Sequence, residues 1–177
     1  AATIERFLAL VAHAHGQLWN SAEPARALGI GETTVRKYLD TLADALLIRV
    51  IRPWHANIDK RQIRSPKVYL RDSGLLHTLL GVERREQLLR HPRVGASWEG
   101  TVIEEILRRA DPLSTPYFWR TSGGAELDLL LVRGDRLTGI EVKRTDAPRV
   151  TPSMRAAQSD LGLDALKVYY PGQRRYH

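Results

Sequence analysis

Apolar residues recur at helical spacing over residues 3–19, where Ile4, Phe7, Leu8, Leu10 and Val11 predict an amphipathic helix ending near Gly16. A second predicted helix begins around Ser21. It carries Pro24 near its first turn, continues through Ala25, Ala27 and Leu28, and stops at Gly29, which suits the left-handed position that closes many helices. After the short connection Ile30-Gly31, a third helix is predicted over residues 32–46, with Val35, Leu39, Leu42 and Leu46 along one side. Its other side presents Thr33, Thr34, Arg36, Lys37 and Asp40, hydroxyl and basic groups suited to a major groove. Residues 47–52 then read as a short strand and residues 67–70 as another, separated by the polar, basic stretch 53–66.

Helix, tight glycine turn and helix, followed by two strands around a basic loop, is the order of a winged helix-turn-helix. In that arrangement Arg52, Lys60, Arg61 and Arg64 reach phosphates, making DNA the expected partner. The competing reading is a three-helix packing module that contacts protein. Trp54 fits an aromatic anchoring the wing better than one stacking on a base. Asp72-Ser73-Gly74 ends the last strand, residues 75–80 form a short helical turn, and the charged stretch 81–96, with Gly81, Pro92 and Gly95, marks a domain boundary. The predicted division is a winged helix over 1–72, a connector over 73–96 and a second domain over 97–177.

In that second domain a helix over residues 98–110 carries Trp98, Val102, Ile106 and Ala110 on one face. At 100° per residue Glu99 falls among them, Glu104 points the opposite way and Glu105 lies at the flank. An inward carboxylate requires a cation, a donor or a metal. A strand at residues 117–120, a turn at Gly123-Gly124, a strand at 126–132, a turn at Gly134-Asp135 and a strand at 137–144 form a predicted meander. Strict alternation puts Glu126 and Asp128 on one face and Leu127 and Leu129 on the other; Glu141 and Lys143 likewise share a face. Asp128, Glu141 and Lys143 thus converge.

The 27 Lys plus Arg against 20 Asp plus Glu give a net charge of +7, which favours a polyanionic partner. Residues 1–90 hold 14 basic and 9 acidic side chains, residues 91–177 hold 13 and 11, so the front half is the more basic. With no cysteine, disulfides and thiolate zinc sites are excluded. The histidines lack ligand spacing. No long apolar run and no leader pattern is present, so a cytoplasmic protein without membrane contact is expected. The chain opens on Ala1-Ala2, with Met154 its one methionine, which suggests a fragment of something longer.

Two carboxylates and a lysine suit phosphodiester hydrolysis. Asp128 and Glu141 would bind Mg²⁺ or Mn²⁺, Glu99 would complete the shell, and Lys143 would orient the attacking water. An ordinary polar strand face is the plainer reading of Glu-x-Lys taken alone. Asp128, Glu141-Val142-Lys143 and the helical Glu99 together resemble the PD-(D/E)XK nuclease-like fold of restriction endonucleases and Holliday-junction resolvases, although Glu126-Leu127 replaces the proline before the first acid. Gln158 resembles a glutamine that some relatives carry after the third strand.

A wider set, Lys67 through Leu76, Trp98-Glu99 through Leu107, Arg120, Glu126-Leu127-Asp128 and Ile140 through Lys143, is similar to the domain of unknown function that follows the ATPase core of bacterial and archaeal AAA-type ATPases. That resemblance implies an α/β (α+β) chain: a winged helix, then a restriction-endonuclease-like domain with a central mixed sheet flanked by helices. It also implies an N-terminal P-loop ATPase domain as partner, because no G-x-x-x-x-G-K-[ST] is present here. Two functions follow as expectations: a metal-dependent DNA endonuclease, or a non-catalytic DNA-binding or protein-docking module.

Overall fold

The computed structural model describes residues 2–55 and 64–173 and divides the chain into two compact units. The first comprises residues 1–51 and 65–104, the second residues 52–64 and 105–177. Both mix helices and strands, in line with the α/β class expected.

In the first unit, helices α1 (Ala2–His13), α2 (Ala22–Leu28) and α3 (Glu32–Asp44) contribute to a shared core. Phe7 and Val11 lie four residues apart on α1, and Val35, Leu39 and Leu42 form the α3 stripe; all five are buried with Trp19, Ile48, Val68, Leu70 and Leu76. Gly29 closes α2 at φ 66°, as its position predicted, and donates its N–H back into the helix. The α3 helix is shorter than the periodicity suggested: it ends at Asp44, and Leu46 turns out to solvent at φ 59°.

Strands β2 (Ile48–Pro53) and β3 (Lys67–Leu70) pair antiparallel, with Val50 opposite Val68. A two-residue strand, β1 (Gln17–Leu18), joins the far edge of β3, just past the point near Gly16 where the first helix was expected to end. Asp72 caps α4 (Ser73–Leu79) by accepting the Leu75 N–H at 2.6 Å. That helix sends Leu76 into the core, α5 (Arg85–Arg90) follows, and α6 (Val94–Arg109) gives its first eleven residues to this unit. Residues 73–96 are therefore largely helical.

The second unit is built on β4 (Thr115–Arg120), β5 (Glu126–Arg133) and β6 (Arg136–Val142), the antiparallel meander predicted, turned at Gly124 and Gly134, both at positive φ. Helix α7 (Pro152–Leu161), capped by Thr151, crosses to β7 (Ala165–Tyr169), which pairs parallel to β6. Arg52 and Pro53 pair parallel to Tyr117 and Phe118 at the other side of β4. Trp119, Leu127, Leu130, Ala157, Leu161 and Leu163 form the core, with Trp54 edge-on to Tyr117 at 4.9 Å beside it. No described helix is long and apolar enough to cross a membrane.

Candidate active site

The β4–β5 register shifts between Tyr117 and Trp119: Leu130 opposes Tyr117 and Leu127 opposes Trp119, so Asp128 and Leu129 stand where β4 offers only Phe118. This is a β-bulge, a device that re-aims a side chain. It breaks the strict alternation read from the sequence, and Leu127 enters the same core cluster as Leu130 rather than pairing with Leu129. On the other side, the β5–β6 ladder reaches Leu129 opposite Ile140. Just beyond it, Asp128 Oδ2 accepts the Val142 N–H at 2.8 Å. Asp128 is thereby fixed at the end of β6, beside Glu141.

Glu141 is 4% exposed. Its Oε1 meets Lys143 Nζ at 2.5 Å, while its Oε2 is buried without a hydrogen-bond partner among the described residues. Burial pushes the Glu141 carboxyl above its ordinary range, the Asp128 charge pushes the same way, and Lys143 opposes both. The three residues that sequence reasoning converged are together.

An implied divalent cation fits the pair. Burying a carboxylate oxygen without a hydrogen-bond partner among the described residues, beside a second carboxylate, is costly even with Lys143 on the other oxygen, and oxygen donors are what Mg²⁺ or Mn²⁺ takes. Among the described residues no group of three or more His, Asp or Glu is placed to hold a metal. In the first unit, Glu99 Oε1 accepts from Tyr69 Oη at 2.6 Å and meets the buried Lys67 at 3.4 Å.

The face of α6 differs from the expectation. Its packed residues are Ser97, Gly100, Ile103 and Glu104, so Glu104, expected to point outward, is the buried carboxylate. The small residues at 97 and 100 let the neighbouring chain approach that side, outweighing the larger Trp98, Val102 and Ile106. Arg49 donates to Glu104 from both Nε (2.7 Å) and Nη2 (3.0 Å), and Arg71 Nε donates at 2.8 Å. Burial alone would raise the Glu104 pKa, but these two guanidiniums outweigh it and hold the carboxyl below its usual range. Arg49 in β2 and Arg71 directly after β3 were the available signal.

His15 was also passed over. Buried, it accepts the Leu70 N–H at Nδ1 (3.0 Å), and its Nε2 lies 3.1 Å from the Ala96 carbonyl, so α1 is tied to β3 and α6. Burial lowers its pKa to about 4.

On α3, Thr33, Arg36 and Lys37 are exposed and Thr34 is half-buried; Arg36 meets Glu32 at 3.6 Å. Arg52 and Arg64 are exposed, whereas Lys60 and Arg61 lie outside the described residues. Gln158 donates to the Leu163 carbonyl at 2.7 Å, tying α7 to the turn before β7.

Residues 1–86 match a family described as a domain of unknown function (DUF8612), and residues 94–177 match a second such domain (DUF4143). Over 178 aligned residues, 99% of this chain, the sequence is 51% identical to the uncharacterized protein Rv2008c of Mycobacterium tuberculosis and to the uncharacterized protein Mb2031c of Mycobacterium bovis. The chain spans 40% of the length of each. No solved structure matches it significantly.

Proposed function

We propose that this chain is the DNA-directed C-terminal module of a AAA-type ATPase and that Asp128, Glu141 and Lys143 form a nuclease-like site for phosphodiester hydrolysis. The observation that carries the reading is the buried Glu141 Oε2 beside Asp128, without a hydrogen-bond partner among the described residues. The order helix, strand, helix, helix, strand, strand in the first unit supports a winged helix there. A three-stranded meander followed by a helix and a parallel strand supports the restriction-endonuclease-like reading of the second. Domains of the DUF4143 family are typically found with AAA ATPases, and relatives longer than this chain leave room for a P-loop domain.

A divalent cation bound at such a site polarises a phosphate oxygen and makes a bound water more acidic. Asp128 and Glu141 would hold it. The bulge keeps Asp128 facing Glu141, and the Val142 N–H fixes its carboxylate without neutralising it. Lys143, partly exposed at the rim, keeps a proton donor where a phosphate oxygen or attacking water arrives. Glu99, paired with Lys67 and Tyr69, serves the first unit's structure in this account.

Incubating the chain with supercoiled or branched DNA and Mg²⁺ or Mn²⁺ tests the proposal. Cutting by the native chain that disappears in Asp128→Ala is expected; no cutting, or equal cutting by the variant, overturns hydrolysis. The second reading is a catalytically inactive DNA-binding or protein-docking module. It is favoured by Lys143, whose ammonium already meets Glu141. DNA binding that weakens steeply with salt but brings no cleavage would select the DNA-binding form, and binding absent at low salt would select docking to protein.

A further inference from the structure

Directly after Glu141, the segment from Lys143 to Arg155 holds Lys143, Arg144, Arg149 and Arg155 against one acid, Asp146. Arg144 and Arg149 lie in the β6–α7 connection and Arg155 in α7; all three are exposed, and none forms an ion pair among the described residues. Other exposed arginines differ among themselves: Arg108 and Arg109 meet Glu105 and Arg133 meets Asp111, whereas Arg52, Arg85 and Arg136 carry no ion pair among the described residues, so what sets the 143–155 segment apart is its basic excess directly after Glu141. A guanidinium already on a carboxylate gives up that contact to meet a phosphate, whereas an unpaired one presents its donor fork at no such cost.

The α3 face makes the opposite case. Along α3, Glu32, Asp40 and Asp44 outnumber Arg36 and Lys37, for a net charge of −1, and Arg36 leans on Glu32. A polyanion meets repulsion there.

We propose that the DNA backbone is held by Arg144, Arg149 and Arg155, on the segment leaving the carboxylate pair, and not by the α3 face. The inference rests on the DNA-directed reading above and adds where the backbone runs. Arg144 follows Lys143 in the chain, so a strand tracked by these arginines passes beside Glu141, where a scissile phosphate must lie.

The test is fluorescence anisotropy of a labelled duplex oligonucleotide with the full chain, in EDTA, from about 50 to 200 mM NaCl. The triple variant Arg144→Gln, Arg149→Gln, Arg155→Gln is expected to lower the slope of log affinity against log salt by about 2 to 3, since each phosphate contact contributes roughly 0.9. The matched triple Arg108→Gln, Arg109→Gln, Arg133→Gln is expected to keep the native slope. An unchanged slope in the first triple, or its loss in Arg36→Gln, Lys37→Gln instead, overturns the inference. Thermal melts establish that each variant folds; if the first triple melts early, Arg149→Gln alone is read, with an expected slope change of about 1. DNA binding of the predicted kind without cleavage in Mn²⁺ leaves the inference standing and removes hydrolysis. No DNA binding by the native chain removes both.

Discussion

Glu104 and Glu141 are both buried carboxylates, and their surroundings push them in opposite directions. Glu104 sits in a cage of Arg49 and Arg71; Glu141 has Lys143 on one oxygen and the Asp128 charge nearby. The first arrangement pairs its charge within the fold, and in the proposed reading the second is where a bound cation would sit. Glu104→Gln leaves two guanidiniums without their counter-charge, and an expected loss of about 3 kcal/mol follows from the behaviour of broken buried ion pairs. Urea denaturation measures it.

His15 predicts a pH dependence. Its folded pKa of about 4 lies below the ordinary 6.5, so the unfolded chain binds the proton more readily. The neutral ring's contribution is therefore fully present above pH 6.5 and is lost as pH falls towards 4. The lowered Glu104 pKa adds a loss of the same sign at still lower pH. Denaturation midpoints should fall from pH 7 to pH 5, and His15→Gln should flatten that fall.

At the scale of elements, the α3 end and the α6 face make separate predictions. Leu46 occupies the left-handed position after the Ala45 cap, where a side chain is strained and glycine is at ease. It is 67% exposed and contributes little packing. Leu46→Gly should raise stability by about 0.5–1 kcal/mol, seen as a higher urea midpoint at unchanged slope. Gly100 has the reverse character. A Cβ there would lie 2.4 Å from His15 Nε2, so Gly100→Ala should cost about 1–3 kcal/mol despite alanine's better helix propensity, measured in the same titration.

For the whole molecule, the elements legible in the sequence were those whose signal is local. The α3 stripe, the Gly29 terminator, β3 and the β4–β5–β6 meander each follow from periodicity or turn chemistry within a dozen residues. Asp128, Glu141 and Lys143 could be placed together because a hairpin brings its two strands into register. Four features escaped because each depends on a partner outside its own segment. The two residues of β1 become a strand only against β3, and β7 only against β6. Asp128's bulge is a mismatch with β4, invisible from β5 alone. Glu104 is buried because Arg49 and Arg71 await it, and helical periodicity cannot register a counter-ion 55 residues away.

Gripping of a divalent cation by the Asp128 and Glu141 carboxylates is tested most directly by thermal unfolding in increasing Mn²⁺. A ligand that binds the folded chain alone stabilises it by about 2.7 kcal/mol at a hundred times its dissociation constant. For a chain of this size that corresponds to a rise of several degrees. The account predicts a saturable rise in Tm for the native chain, absent in Asp128→Ala and in Glu141→Gln. A native Tm indifferent to Mn²⁺, or an equal rise in both variants, would contradict it.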